Sequence, residues 1–336
     1  MDRGGWLRHA YADTAVVTQV NDGAAAGAAG ERWASCSASA PSIVFRMLDM
    51  LDLRAGHRVL EIGTGTGWNA ALVAHRLGAG RVVSVEVDPV LAMRAEACLR
   101  GVGLDARVVR GDGVEGCADG GLYDRVIATC SVRAVPPAWI AQTRPGGVIL
   151  VPWESPWLCY GLLRLTVDGY GGASGSFFPY SAFMLMRGQR TDLRIYRDVV
   201  RGASCAGGVR HFSVALGGRR EGLGRAVRRR APTARCMAGL ARRAGCRRCR
   251  RRLWVATTDA GSWAAVDWDG GGSDRFTVWE HGPRRLWREV EGAHAWWRGV
   301  GCPGPGRFGV TIAPDGTHVP WLDTPDRPVP VAVAAG

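Results

Sequence analysis

Residues 58–69 combine an apolar run, a carboxylate and three glycines at every second position. Glu61 stands two residues before Gly63, and Gly65 and Gly67 follow at the same interval. Glycine adopts positive φ without strain and lets a ligand approach the backbone closely. A helix placed after such a turn directs unpaired N–H groups toward whatever lies above it. The segment therefore predicts a turn that cradles a ligand, and its spacing differs from the Gly-x-Gly-x-x-Gly of dinucleotide-binding folds.

Two further carboxylates follow the next two apolar runs of the chain. Residues 82–86 predict a strand that ends in Glu86, and residues 106–110 predict a strand that is followed by Asp112. Ligands of parallel α/β sheets bind beyond the carboxyl ends of the strands, where an acid such as Glu86 can accept both hydroxyls of a ribose. We therefore expect Glu61, Glu86 and Asp112 to meet at one cleft.

The elements around these acids alternate between strands and helices. Asp88 followed by Pro89 is typical of a helix N-cap and the first helical position. Further patterns predict strands at residues 123–130 and 146–152, and helices at residues 41–51 and 136–143. Thr129 lies at the end of one of these strands. The alternation predicts an α/β fold with a doubly wound, mostly parallel sheet.

The glycine turn and the acids that follow it resemble the motifs of S-adenosylmethionine methyltransferases. The resemblance implies a class I, Rossmann-like methyltransferase fold that uses S-adenosyl-L-methionine as its cofactor. It also implies the residues that bind this cofactor, which are Glu61, Gly63, Thr64, Gly65, Gly67, Glu86, Asp112, Gly113 and Thr129.

The stretch before the glycine turn resembles the protein L-isoaspartate O-methyltransferases. In that family a Thr-Ile-Ser-x-Pro segment ahead of the first helix lines the acceptor site. Ser39-Ala40-Pro41 matches its Ser-x-Pro core, with Ser37 in the threonine position. The resemblance implies that Ser39 is the catalytic residue and that Ser37, Pro41 and Ser42 bind substrate. The three serines also have a plain interpretation as turn and capping residues.

One branch of that family is similar over a longer stretch. Residues 61–71 and 123–132, together with a tryptophan-bearing C-terminal extension, resemble actinobacterial homologues found with biosynthetic clusters for ribosomally made, modified peptides. This resemblance implies methylation of an aspartate side chain in a precursor peptide, followed by aspartimide or isoaspartate formation. Two alternatives stay open: general repair of isoaspartate in damaged proteins, and a degenerate, non-catalytic fold that binds peptide or nucleic acid.

Methyl transfer to a carboxylate needs no general base. A carboxyl group has a pKa near ~4, so it is already a nucleophile at neutral pH. The protein must then supply alignment and a dry pocket. His57 and His75 lie in a strand-entry and a helix context, and we interpret both as structural.

The positive charge of the chain is concentrated in one segment. All 43 basic residues are arginine, and the net charge is +13. Residues 217–252 hold fourteen arginines and a single acid, Glu221, so this segment accounts for the whole excess. The composition is compatible with a poorly ordered insertion, or with an arginine-rich clamp for nucleic acid or an acidic peptide.

Two other interpretations of this segment stay open. Cys246 and Cys249, with Cys236 nearby, have the spacing of zinc ligands, but zinc takes four ligands and no second pair fits, so we expect no metal. Arginine, alanine, glycine, proline and cysteine are also what GC-rich DNA encodes in a wrong reading frame. We expect disorder or such a frame error rather than nucleic-acid binding.

The change in composition along the chain predicts two domains. We expect a methyltransferase domain with a short N-terminal lead-in over residues 1–188 and an α+β extension over residues 189–336. The extension holds eight of the fourteen tryptophans, which we expect in its core. Residues 283–298 predict a helix there, and residues 307–321, with a Pro-Asp-Gly turn, predict a hairpin.

Nothing in the sequence predicts secretion or membrane insertion. The first 30 residues lack the basic start and apolar core of a signal peptide, and no run approaches the ~20 apolar residues of a membrane span. The ten cysteines are scattered, so reduced thiols in a cytoplasm are the default. The expected partner is a peptide or protein substrate that carries an Asp or isoAsp residue.

Overall fold

The computed structural model describes residues 5, 7–8, 11–24, 32–155, 159–179, 181–190, 209–213, 240–241, 251–257, 259, 261–268 and 275–330. The chain divides into two compact units. The first comprises Met1–Glu154, Tyr160–Arg190 and Pro305–Val329, and the second comprises Ser155–Cys159, Thr191–Gly304 and Pro330–Gly336. None of the helices in the described ranges combines the length and the apolar surface of a bilayer span.

Sixteen strands and five α-helices make up the described structure. The strands are β1 (Val16–Val20), β2 (Ala34–Ala38), β3 (Val59–Ile62), β4 (Val82–Glu86), β5 (Arg107–Arg110), β6 (Tyr123–Ala128), β7 (Thr143–Glu154), β8 (Cys159–Val167), β9 (Ala173–Pro179), β10 (Val209–Ser213), β11 (Leu240–Ala241), β12 (Arg251–Ala256), β13 (Trp263–Trp268), β14 (Arg275–His281), β15 (Phe308–Ile312) and β16 (His318–Leu322). The helices are α1 (Pro41–Leu51), α2 (Trp68–Leu77), α3 (Pro89–Gly101), α4 (Pro137–Ala141) and α5 (Leu286–Gly299).

The first unit is built on a nine-stranded sheet in the order β16-β15-β9-β8-β7-β6-β3-β4-β5. The strands from β3 to β7 pair in parallel. The chain runs outward from β3 through β4 and β5, then returns to the other side of β3 as β6. Ligands of open parallel sheets bind at such a reversal of strand order. The predicted doubly wound, mostly parallel arrangement is therefore confirmed, with antiparallel strands added at one edge.

Both faces of the parallel strands β3 and β4 are buried. Along β3, Leu60 and Ile62 belong to one apolar cluster, whereas Val59 belongs to the cluster on the other face. Successive side chains of a strand point to opposite faces, so a strand that is apolar at every position must be covered on both sides. This explains why the parallel strands appear in the sequence as continuous apolar runs.

Local sequence signals start the helices that flank the site. Pro41 occupies the first turn of α1, whose Val44, Met47 and Leu51 are buried, as the spacing over residues 41–51 predicts. Asp88 caps α3, since its side chain accepts the N–H groups of Val90 and Leu91. The interpretation of Asp88 and Pro89 as a helix start is thus confirmed.

The structure corrects three expectations for the first unit. The lead-in contains a two-stranded antiparallel sheet, β1–β2, that the sequence analysis did not predict. The hairpin β15–β16 pairs with β9 and extends the large sheet, so the predicted extension over residues 189–336 loses its last hairpin to the first unit. The strand predicted over residues 146–152 is longer than expected, because β7 runs from Thr143 to Glu154.

The second unit contains a five-stranded antiparallel sheet in the order β10-β14-β13-β12-β11. Helix α5 packs on it through Leu286 and Trp287, which contact a buried cluster that includes Val255, Val266 and Val278. The helix predicted over residues 283–298 is confirmed as α5 (Leu286–Gly299).

The tryptophans of the second unit whose burial is described are core residues only in part, since Trp279, Trp296 and Trp297 are half-buried. Trp254 and Trp263 are buried and their rings lie 5.4 Å apart, centroid to centroid. Trp287 is also buried. The arginine-rich segment 217–252, with Cys236, Cys246 and Cys249, lies outside the described residues apart from β11 and the first positions of β12.

Candidate functional site

The carboxyl ends of three parallel strands align at the reversal of strand order. Ile62 of β3 is in register with Val85 of β4 and with Ala128 of β6. The chain therefore places the residues that follow each strand at one edge of the sheet. This brings together the glycine turn, Glu86 and Thr129, as the sequence predicts.

The glycine turn follows β3 and leads into α2. Gly63, Gly65 and Gly67 have φ values of 94°, 55° and 81°, in the left-handed region that only glycine enters without strain. Gly67 is the N-cap of α2, and a Cβ placed on it would lie 3.3 Å from the Cβ of Ala95. The alternation of glycines thus has a conformational cause, and a side chain at Gly67 would press against α3.

Hydrogen bonds to the neighbouring strands fix the turn. The N–H of Gly63 donates to the carbonyl of Val85 at 2.9 Å. The hydroxyl of Thr129 donates to the carbonyl of Gly63. Thr129, predicted to bind cofactor, therefore holds the backbone of the turn in this structure.

Glu61 lies beneath the turn and is completely buried. Its two carboxylate oxygens accept hydrogen bonds from Asn69 at 2.8 Å and from the hydroxyl of Ser84. Ser84 also bonds to the hydroxyl of Thr64 at 2.6 Å. Burial raises the pKa of Glu61 to about 7, although the two hydrogen bonds act in the opposite direction. Both oxygens are engaged within the protein, so Glu61 and Thr64 support the turn from below.

Glu86 connects the turn to the start of α3. One oxygen accepts the N–H of Gly65 at 2.8 Å, and the other accepts the N–H of Asp88 at 3.0 Å. A carboxylate oxygen has lone pairs for more than one hydrogen bond, so Glu86 can also accept the hydroxyls of a ligand. The contact of Glu86 with a ribose stays a prediction.

Asp112 follows β5 and is exposed. Its Oδ1 accepts the N–H of Val114 at 3.0 Å, which orients the carboxylate in the loop. The next residue, Gly113, is buried, and a Cβ placed on it would lie 2.6 Å from Ile62 at the end of β3. Gly113 thus allows this loop to pack close to the glycine turn.

The predicted acceptor segment passes along the same turn. Cys36 of β2 is buried, and its Sγ lies 3.3 Å from the position that a Cβ on Gly65 would occupy. Ser37 pairs with Val17 across the β1–β2 sheet. Ser39 is half-buried and directly follows this sheet. The structure therefore places the segment that contains Cys36 and Ser39 next to the glycine turn.

Two residues of the segment also serve the start of α1. Pro41 takes the first helical position. The N–H of Ser42 donates to Asp13 at 2.9 Å, and hydrogen bonds from Ser42 lower the pKa of Asp13. The N-cap residue is Ala40 and Asp13 accepts the N–H of Ser42, so no serine caps α1, and the contact of Pro41 and Ser42 with substrate stays a prediction.

Two thiols flank the glycine turn and both remain protonated. Burial raises the pKa of Cys36 and raises that of Cys130 to about 12. A thiol at this pKa is a poor nucleophile at neutral pH, since the thiolate is the reactive form. The described part of the chain also contains no group of three or more His, Cys, Asp or Glu side chains arranged to hold a metal.

Several residues of the site were missed by the sequence analysis. Ser84 interrupts a run of valines in β4, and a polar residue in a buried strand signals a buried hydrogen bond. A further group includes Asp88, which bonds to Gln19 and Arg187, and Asp22, which pairs with Arg187. No local pattern marks this group, because its members are far apart in the sequence.

Comparisons with known proteins agree with this geometry. A family model described as "Protein-L-isoaspartate(D-aspartate) O-methyltransferase (PCMT)" matches residues 3–157. Protein-L-isoaspartate O-methyltransferase 2 of Polaromonas sp. is 33% identical over 153 residues, which cover 45% of this chain and 72% of that protein. Protein-L-isoaspartate O-methyltransferase 2 of Archaeoglobus fulgidus is 41% identical over 116 residues, which cover 34% of this chain and 53% of that protein.

The chain spans about half the length of several curated relatives that it matches, with 53% and 56% covered in two of them. A solved structure named protein-L-isoaspartate O-methyltransferase superposes with a TM-score of 0.53 at 21% identity. That superposition covers 95% of this chain and 89% of the other. It shows a shared class I methyltransferase fold.

Proposed function

The chain belongs to the protein-L-isoaspartate(D-aspartate) O-methyltransferase family, and on this premise we propose that it methylates the carboxylate of an isoaspartyl or aspartyl residue. The methyl donor would be S-adenosyl-L-methionine, and the acceptor a peptide or protein. The observation that carries the proposal is the contact of the glycine turn with Glu86 on one side and with the acceptor segment at Cys36 on the other.

The residues of the cleft fit the cofactor. Glu86 has the acceptor oxygens for ribose hydroxyls, and Asp112 has an exposed carboxylate for the adenine amino group. The turn at Gly63 and Gly65 offers backbone without side chains to an approaching ligand. When bound, S-adenosyl-L-methionine supplies an electrophilic methyl group on a sulfonium.

The protein's own contribution to the transfer is alignment. An isoaspartyl carboxylate is anionic at neutral pH, so no side chain has to remove a proton from it. The hydroxyl of Ser39 and the backbone N–H groups that follow β2 would hold this carboxylate by hydrogen bonds. Cys36 and Cys130 keep their protons, so neither thiol competes with the substrate for the methyl group.

The substrate class separates two candidate roles. The names of the relatives support isoaspartate in proteins, which corresponds to general repair. They give no support to a role in natural-product biosynthesis. Methylation of a dedicated precursor peptide remains a second candidate because the second unit, with its own sheet and helix, lies beyond the matched residues 3–157.

A methylation assay with matched peptides tests the proposal. The full chain is incubated with S-adenosyl-L-methionine and either an isoaspartyl peptide or the same peptide with ordinary aspartate, and methyl ester formation is followed by mass spectrometry. General repair predicts ester on the isoaspartyl peptide alone. Ester on aspartate alone would support the precursor-peptide role. Absence of ester on both peptides, together with measurable S-adenosylhomocysteine binding, would contradict the proposed activity.

The variant Ser39→Ala tests the predicted acceptor side. Loss of one hydrogen bond to a charged group should reduce kcat/KM by about tenfold to a hundredfold. S-adenosylhomocysteine affinity should not change, because the hydroxyl would contact the acceptor carboxylate alone. Ser174→Ala is the control, since that hydroxyl bonds to Thr311 at the far edge of the sheet.

A further inference from the structure

The turn formed by residues 187–190 contacts the loops that follow three parallel strands. Arg187 donates to Asp88 beyond β4 at 3.1 Å. A Cβ placed on Gly188 would lie 3.9 Å from the Oδ2 of Asp112 beyond β5. The side-chain oxygen of Gln189 accepts the N–H of Arg133 beyond β6 at 2.6 Å. This turn, called the 187–190 turn below, therefore spans the edge of the sheet that carries the candidate site.

Arg187 also reaches the segment that precedes the acceptor residues. Its Nε lies 3.1 Å from Asp22, in the connection between β1 and β2. Its Nη2 donates to Asp88 and, at 3.3 Å, to the side-chain oxygen of Gln19 in β1. A single guanidinium thus joins the β1–β2 sheet to the N-cap of α3. Arg190 adds a second cation on Asp22, with both contacts shorter than 3.0 Å.

Both strands of the β1–β2 sheet take part in this group. Gln19 donates from Nε2 to Asp88 at 2.9 Å, and Ser35 of β2 donates to the other end of Gln19 at 2.8 Å. The N–H of Asp22 donates to the hydroxyl of Ser35 at 2.9 Å. Asp22 has a left-handed φ of 53°, so this connection is held in a conformation that non-glycine residues seldom adopt.

The group continues into the cofactor side of the site. The N–H of Asp88 donates to Glu86, and Glu86 accepts the N–H of Gly65. Burial alone would raise the pKa of Asp88, but hydrogen bonds from Gln19, the α3 backbone and Arg187 lower it to about 2. Asp88 is therefore charged at every physiological pH, and the Arg187 contact persists over the same range.

We propose that Arg187 is a positioning residue for methyl transfer, which holds the β1–β2 sheet and the acceptor segment after it in place over Glu86 and the glycine turn. This inference rests on the proposed function, because it assigns the acceptor to the segment around Ser39. The two carboxylates that Arg187 contacts belong to two different elements, which Gln19 also joins through its bond to Asp88.

The geometry requires arginine rather than any cation. The contacts of Arg187 leave from two different nitrogens, Nε toward Asp22 and Nη2 toward Asp88. The guanidinium presents its donors in a rigid fork, whereas the ammonium of lysine is a single point charge. Arg187→Lys should therefore keep the charge and lose one of the two connections.

The test compares Arg187→Gln and Arg187→Lys with a matched control, Arg307→Gln. Arg307 makes a closer pair with a single carboxylate, Asp323, at 2.6 and 2.7 Å, at the β15–β16 edge of the same unit. Hydrogen exchange on the full chain is measured for residues 16–38 and for β3 and β4. Steady-state kinetics with an isoaspartyl peptide give KM and kcat, and calorimetry gives S-adenosylhomocysteine affinity.

Arg187→Gln should speed exchange in residues 16–38 by about tenfold and leave β3 and β4 unchanged, because only the β1–β2 sheet loses its anchor. KM for the peptide should rise by about tenfold, with a smaller change in kcat. Arg187→Lys should give an intermediate result, and Arg307→Gln should match the wild type. If Arg187→Gln does not fold, the exchange rates and the KM of Arg187→Lys are compared with those of the wild type, and this comparison decides whether Arg187 is a positioning residue.

The experiment distinguishes a failure of the positioning role from a failure of the proposed function. Wild-type exchange and wild-type KM in both Arg187 variants would overturn the positioning role, even if the wild-type chain methylates the peptide. Faster exchange of residues 16–38 in Arg187→Gln, together with a wild-type chain that forms no ester, would support the anchor and contradict the proposed function instead.

Discussion

The two sides of the candidate site are held in place by different interactions. On the cofactor side, the buried Glu61 and hydrogen bonds to the backbone, such as the one from the half-buried Thr129, fix the glycine turn. On the acceptor side, half-buried charged side chains such as Arg187 and Asp22 hold the β1–β2 sheet. Buried hydrogen bonds resist salt and solvent, whereas partly exposed ion pairs are screened. From this comparison we expect the glycine turn and its supporting side chains, called the cofactor cradle below, to be rigid. We expect the β1–β2 sheet, called the acceptor wall below, to be more mobile.

The largest effect should come from the residue at which the two sides meet. Glu86→Gln removes the negative charge that would accept ribose hydroxyls, and it weakens the bonds to Gly65 and Asp88. Hydrogen bonds to a charged group contribute about 1.5–3 kcal/mol, so S-adenosylhomocysteine affinity should fall by about a hundredfold. Isothermal titration calorimetry measures this affinity. Glu96→Gln, on the exposed face of α3, is the control.

If Glu86→Gln bound S-adenosylhomocysteine with wild-type affinity, groups other than Glu86 would have to hold the cofactor. The distinction between a rigid cofactor cradle and a mobile acceptor wall would then no longer hold for the cofactor cradle.

A smaller effect is expected at the contact between the cradle and the wall. Gly65→Ala puts a Cβ 3.3 Å from Cys36 Sγ and imposes a left-handed φ on alanine. The strain should cost about 1–2 kcal/mol of unfolding free energy, measured by urea titration. Gly80→Ala is the matched control, since Gly80 also has positive φ but nothing within 4 Å of its Cβ position.

Both glycine variants should lose similar stability, and only Gly65→Ala should also weaken S-adenosylhomocysteine binding. Equal binding in the two variants would mean that the contact between Cys36 and Gly65 does not shape the cradle.

The last effect depends on pH and concerns Glu61, the buried acid of the cradle. The pKa of Glu61 is raised to about 7 in the folded protein, above its value in the unfolded chain. The folded state therefore binds more protons than the unfolded state between pH ~4.5 and pH ~7. The stabilising contribution of neutral Glu61 is fully present below this window and is lost as the pH rises through about 7.

Glu61→Gln removes this titration and keeps a side chain of the same size. The unfolding free energy of the wild type should fall relative to the variant as the pH rises, by at most about 1.4 kcal/mol per pH unit. Urea titrations from pH 5 to pH 8 measure the difference. Parallel curves for the two proteins would show that Glu61 is already ionised throughout this range.

The cofactor side could be predicted from the sequence because its signals are local. The spacing of Gly63, Gly65 and Gly67 encodes three left-handed positions, and helix α1 appeared with its observed bounds. Glu61 was predicted correctly as part of the turn region, but its partners Ser84 and Asn69 depend on packing between β3, β4 and α2. Its direct contact with a cofactor stays a prediction.

The acceptor side could not be predicted because its interactions join distant parts of the chain. The small and polar residues of β2 carry no clear strand pattern, and β1–β2 appeared only as a lead-in. Asp88 was correctly interpreted as a helix cap, yet its bonds to Gln19 and Arg187 have no local signature. The pairing of β15 with β9 likewise depends on long-range contacts.

A crystal structure of the full chain with S-adenosylhomocysteine and an isoaspartyl peptide tests the central claim most directly. We predict that the ribose hydroxyls lie within hydrogen-bonding distance of Glu86, and that the isoaspartyl carboxylate lies at Ser39 beside the glycine turn. A nucleoside bound away from Glu86, or a peptide carboxylate on a surface remote from Ser39, would contradict the account.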